Sequence, residues 1–125
     1  MELHQSLNIL LMMMKINKNV IKAVYDMLSQ MPVMSQVGYP PSDEVEFELL
    51  PVEDKVMASY TPDPDTIGIC PQRHRFLTSL IKSMIHEMIH MCNHMHGTSY
   101  IRHDKNFDSF RKQIADEFGF DENEI

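Results

Sequence analysis

Basic residues are scarce in this sequence and never run together. Eleven Lys and Arg stand against 18 Asp and Glu, a net charge of −7. Tight binding to a phosphate backbone needs clustered positive charge, so the balance argues against a nucleic-acid-binding module. Two short groups, Arg73-His74-Arg75 with Lys82 and Arg102-His103 with Lys105, read as solvated charge near helix ends. Cysteine is nearly absent. Cys70 and Cys92 are too few for a stapled secreted scaffold and lack the Cys-x-x-Cys spacing of a zinc pair, so they read as reduced, partly buried thiols. Long apolar runs are missing as well. The stretch from Ile9 to Met14 is far too short to span a bilayer. Glu2 precedes it where a signal peptide carries basic residues, and no small-residue cleavage site follows. These absences predict an intracellular, soluble chain that makes no membrane contact, with neither repeats nor low-complexity segments.

What is present suits one domain over residues 1–125, with a single modest core. The hydrophobic fraction of 43% is ordinary, and 12 Met make that core soft. Residues Leu3 to Met14 read as a short helix, followed by a break over Lys15 to Asn19. Val20, Ile21, Val24, Met27, Leu28 and Met31 then keep helical spacing until Pro32. Val45 to Leu49 alternates apolar and acidic residues, the pattern of a strand with one wet face; Val56 to Tyr60 and Thr66 to Cys70 are two more strand candidates. Together they predict a small three-stranded antiparallel sheet. From about Arg75 to Asn93 or His94 runs the strongest helical pattern, with Gly97 at or just past its end. A last helix opens on Asp104 as N-cap, carries Phe107, Phe110, Ile114 and Phe118 at helical spacing, and stops at Gly119. The acidic tail from Asp121 to Ile125 is expected to fray. The fold class is α+β.

Inside the strongest helix lies Ile85-His86-Glu87-Met88-Ile89-His90. Residues four apart sit one above the other on a helix, so His86 and His90 can offer imidazole nitrogens to one metal ion. Glu87 stands beside them, placed to take a proton from water. This is the H-E-x-x-H arrangement of zinc hydrolases. A catalytic zinc usually takes three protein ligands and keeps a fourth position for water. His103, on the loop before the last helix, is one candidate for the third ligand. His96 has the spacing of the longer H-E-x-x-H-x-x-G-x-x-H pattern, but Asn93 replaces its glycine. Glu117 offers a carboxylate, while His94 would have to bind from the same rod as the first two.

His86-Glu87-Met88-Ile89-His90, followed by His103-Asp104-Lys105-Asn106-Phe107, resembles the SprT-like family of zinc metallopeptidases. That family follows H-E-x-x-H with a second motif, H-G-x-x-F, whose histidine completes the metal site. Ile67-Gly68-Ile69-Cys70-Pro71 is similar to the strand leading into its motif helix. The resemblance covers the second half of the chain and implies a zincin-like minimal domain with zinc held by His86, His90 and His103. Asp104 stands where the family has Gly, and no cysteine-rich zinc ribbon follows the domain within these residues. A protein or peptide substrate is implied; contact with DNA comes only from the family and not from the charge balance.

Zinc on three imidazoles lowers the pKa of its bound water to about 7, so that Glu87 can act as general base toward a peptide carbonyl and then return the proton to the leaving amine. Tyr100, Arg102, His94 and His96 lie on the stretch that could supply an oxyanion donor. Endopeptidase activity is the function expected. The alternative is a zinc-stabilised binding or inhibitor protein on the same scaffold.

Overall fold

In the computed structural model, residues 16–125 are described, and the helix expected over Leu3 to Met14 lies outside them. Helix α1 spans Lys18–Ser29. Its N-cap is Asn17, whose side chain accepts from the Val20 amide at 3.0 Å, so the break expected over residues 15–19 is in part the cap itself. Ile21, Val24, Tyr25 and Leu28 form its buried face. The helix stops at Ser29, and Pro32 opens a one-turn helix, α2, over Pro32–Ser35, as its fixed φ and missing amide allow at a first helical position.

Three short strands follow: β1 Glu46–Leu49, β2 Ala58–Thr61 and β3 Thr66–Ile69. All three match strand candidates of the sequence, the first of them read from its alternation, but the sheet is mixed and not antiparallel as expected. Its order is β1-β3-β2, with β1 parallel and β2 antiparallel to β3. The short turn between Thr61 and Thr66 makes β2 and β3 antiparallel. The longer connection from Leu49 to Ala58 leaves β1 parallel to β3, and burial sets which strand is central. In β1, Phe47 is buried between exposed Glu46 and Glu48, a pattern that tolerates an edge. In β3, Ile67 and Ile69 are fully buried, so that strand takes the centre and gains a partner on each side. Gly68 makes this packing fit: a Cβ there would lie 2.7 Å from Ser59 Oγ and 2.9 Å from Leu50 Cδ2.

Helix α3, Leu77–Met95, is the element on which the other layers close. It packs on β2 and β3 on one side and on α1 on another, burying Leu80, Met84, Ile85, Met88, Ile89 and Met91 completely. The Tyr39 hydroxyl donates to the Met88 carbonyl at 2.7 Å, tying the loop before β1 to the middle of α3. Helix α4, Lys105–Phe118, lies against α3 and ends on Gly119, whose φ of +74° is the left-handed conformation that glycine adopts without penalty.

The tail does not fray. Asp121 caps a turn over Glu122–Glu124, Lys82 Nζ meets Glu124 Oε2 at 3.1 Å, and Ile125 joins the core cluster. Acidic composition alone hides this. One terminal apolar side chain and one lysine 42 residues upstream hold the segment down.

No helix among the described residues is long and apolar enough to cross a membrane.

Candidate metal centre

Two of the candidate ligands are placed by helical period alone. His86 and His90 stand one turn apart on α3, with their Nε2 atoms 3.3 Å from each other. His103 arrives from the loop after α3. Gly97, at φ +74°, turns the chain, and Thr98 secures the turn by donating its amide and its hydroxyl to the Asn93 carbonyl, both at 2.9 Å. The Tyr100 ring then packs edge-on against Tyr60 and His94. Asp104 stops the loop as the N-cap of α4, its carboxylate accepting from the amides of Asn106 and Phe107 at 3.0 and 3.3 Å. So Asp104 anchors the residue next to the third imidazole. Asp104→Ala should cost about 1 kcal/mol of stability, read as a lower denaturation midpoint, and should loosen metal binding without abolishing it.

The result is a cluster. His103 Nε2 lies 3.1 Å from His90 Nε2, and one potential ligand atom from each of the three histidines falls within 4.8 Å of the others. A neutral imidazole carries one N–H and one lone pair, so a proton can bridge one such contact and leaves the third nitrogen facing lone pairs. A cation between them relieves that repulsion. The cluster is therefore able to hold a metal ion.

Burial is graded across it. His90 is buried, His86 half-buried and His103 exposed, which opens the cluster to solvent on one side. Beneath it lies Phe107, fully buried, with ring centroids 4.9, 4.8 and 4.5 Å from those of His86, His90 and His103. In the sequence Phe107 reads as one more apolar position of the last helix. Its spacing of four from His103 was the signal that it also serves the site.

Burial and mutual repulsion keep the His86 and His90 rings neutral. Burial, then the neighbouring His90 and His103, pushes His86 down to about 4, although a backbone oxygen of Ile125 partly opposes this. Burial, then His103, also lowers His90. Its Nδ1 is buried near the Tyr100 carbonyl without reaching hydrogen-bond geometry. Glu87 is buried too, and burial pushes its carboxyl up to about 7. With His86 it lines an open cleft of about 520 Å³, bordered by Met57, Ser79, Lys82 and Ser83.

The remaining candidates lie elsewhere. Glu117 Oε2 accepts from the Val33 amide at 2.9 Å, His96 Nδ1 sits 3.4 Å from Cys92 Sγ, and the His94 ring packs against Tyr60 and Tyr100. Arg102 is exposed, and the geometry singles out no oxyanion donor among Tyr100, Arg102, His94 and His96. Both cysteines are free and buried, with burial pushing the Cys92 thiol up to about 11. His74, which carried no sequence signal beyond a surface position, is buried: its Nδ1 lies 2.8 Å from the Cys70 carbonyl and its Nε2 2.8 Å from Ser83 Oγ.

Linkage follows from these environments. His74, like His86 and His90, holds a lowered pKa because burial disfavours the charged ring. The unfolded chain binds those protons near pH 6.5, whereas the folded metal-free protein resists them, for His86 down to about 4. Below about pH 6.5 the unfolded state therefore holds more protons on these groups, and stability falls with pH. Glu87 acts in the opposite sense between its ordinary range and about 7, since its folded form keeps the proton. The shifts of His86 and Glu87 are similar in size and opposite in sense, so His74 and His90 tip the balance toward loss. The urea midpoint of the metal-free protein should drop from pH 7 to pH 5, and more steeply in Glu87→Gln; a midpoint that holds or rises would contradict the burial of these rings.

Comparison with family models, with curated proteins and with solved structures finds no match. The likeness to SprT-like metallopeptidases therefore rests on His86, Glu87, His90, His103 and Phe107 themselves.

Proposed function

We propose that this chain is a zinc-dependent endopeptidase of SprT-like, zincin-like type, hydrolysing peptide bonds of a protein substrate. The observation that carries the reading is the convergence of three imidazoles beside a cleft that also holds a buried glutamate. The donor set fits zinc. Zn–N bonds of about 2.0–2.1 Å at tetrahedral angles separate ligand nitrogens by about 3.3 Å; two of the separations here are 3.3 and 3.1 Å, and all three lie within 4.8 Å. The cluster contains neither a thiolate nor the carboxylate of a two-His iron site. Structural zinc normally fills all four positions with protein, whereas three ligands and an exposed His103 leave room for solvent.

Bound zinc would supply a Lewis acid that polarises the substrate carbonyl and makes water a nucleophile at neutral pH. The rest belongs to the chain. His86 and His90 stay neutral through burial, so their lone pairs remain available at pH 7. Glu87, held in the cleft with its carboxyl raised to about 7, would ionise more readily beside a dication. It is then a base matched to neutral pH, able to accept the attacking water's proton and pass it to the departing amine. Phe107 fixes the imidazole faces and excludes water from beneath them.

The test is to load the purified protein with one equivalent of zinc, incubate it with a degenerate decapeptide pool and sequence the fragments by mass spectrometry. Cleavage that stops with a chelator and returns with zinc is expected. Stoichiometric zinc without any cleavage would instead favour the binding-protein alternative.

A further inference from the structure

His74 and Ser83 form a hydrogen-bonded pair that the chemistry above does not use. A carbonyl oxygen only accepts, so the 2.8 Å contact between His74 Nδ1 and the Cys70 carbonyl places the ring proton on Nδ1. Nε2 of the neutral ring is then an acceptor, and the 2.8 Å contact to Ser83 requires the hydroxyl to donate. His74 is 5% exposed, and burial holds its pKa below the usual histidine range, so this polarity persists at neutral pH. Ser83 has thereby committed its only proton. Because Ser83 also lines the cleft with Glu87, what it can offer a ligand there is an oxygen lone pair.

Resting on the peptidase reading of this cleft, we infer that Ser83 is a substrate-positioning residue, its hydroxyl oxygen accepting a backbone N–H of an extended peptide while His74 fixes the direction of the bond. The acceptor recognises what every peptide carries. Ser83 lies four residues before Glu87 on α3. One helical turn advances about 5.4 Å, and an extended chain covers about 3.3 Å per residue. The recognised N–H therefore falls one or two residues from the bond beside Glu87. A hydroxyl free to rotate could donate or accept; the His74 bond removes that choice and orients the bound chain.

The experiment separates this from turnover. From the decapeptide pool, the peptide best retained by zinc-loaded Glu87→Gln protein is labelled with fluorescein, and its binding is compared with that of its singly N-methylated forms by anisotropy. One N-methyl position should weaken binding up to about tenfold, the worth of one hydrogen bond. In Ser83→Ala on the same background that penalty should shrink to less than twofold, and Ser83→Thr should restore it. Melting curves report whether each variant is folded. In the catalytically intact protein, Ser83→Ala should raise KM and leave kcat within about twofold. An N-methyl profile unchanged by Ser83→Ala, or no peptide retained at all, would overturn the inference. Retention with the expected profile but no cleavage by wild type would sink the peptidase reading and leave Ser83 as a peptide acceptor.

Discussion

Glu87→Gln should keep one equivalent of zinc and lose peptide hydrolysis by roughly 100- to 10,000-fold, the range over which a positioned general base acts. Gln reproduces the shape of Glu and lacks its basicity. None of the three clustered imidazoles is altered, so metal content should match wild type. Stability should hold or rise, because Glu87 is only 7% exposed and a neutral amide costs less to bury than a carboxylate. The measurement pairs elemental analysis with kcat/KM on the best peptide from the pool. Turnover within tenfold of wild type, with metal retained, would remove Glu87 from its role. Glu87→Asp, which draws the carboxyl back by one methylene, should fall between the two.

His103→Ala should strip the metal under conditions in which wild type stays loaded. Zinc bound at four protein ligands is worth about 10–16 kcal/mol, or roughly 2.5–4 kcal/mol for each, so affinity should drop by about 60- to 700-fold. Competition with a chromophoric chelator reads this directly. His103 is exposed, and its removal opens no cavity in the core, so the metal-free variant should melt close to metal-free wild type. Zinc at 100 times its dissociation constant should stabilise wild type by about 2.7 kcal/mol and the variant hardly at all. His94→Ala and His96→Ala should behave as wild type toward metal, since those rings are turned to Tyr60 and Tyr100 and to Cys92. Full occupancy in His103→Ala would hand the third position to another group.

Much of the site is written in short-range spacing. His86 and His90 share a face because the helix repeats every 3.6 residues, and any sequence that keeps this segment helical keeps them together. Asp104 as a cap and Gly119 as a stop are equally local, each decided by the hydrogen-bonding or conformational needs of one helix end. Strands are half legible. The alternation around Phe47 tells which side is wet, and says nothing about which strand lies alongside. That β3 lies between β1 and β2 depends on the depth at which Ile67 and Ile69 are buried and on the absence of a side chain at Gly68.

The third imidazole shows the same division. Residue types and family likeness pointed to His103, with His96 and Glu117 open beside it. The loop from Gly97 to Asp104 brings His103 to the cluster, while Glu117 lies outside it with one carboxylate oxygen accepting from the Val33 amide. His74 had no signal at all, because a histidine between two arginines reads as surface until β3 and α3 close over it. The acidic tail likewise became ordered through Lys82 and the core around Ile125. By itself the sequence determined everything that depends on neighbours within a helical turn: the pairing of His86 with His90, the carboxylate of Glu87 beside them and the cap of the last helix. Only the tertiary structure decided the sheet order, the approach of His103, the floor that Phe107 makes and the His74–Ser83 bond. Those follow from which distant surfaces exclude water together, a property of the packed chain and not of any one segment.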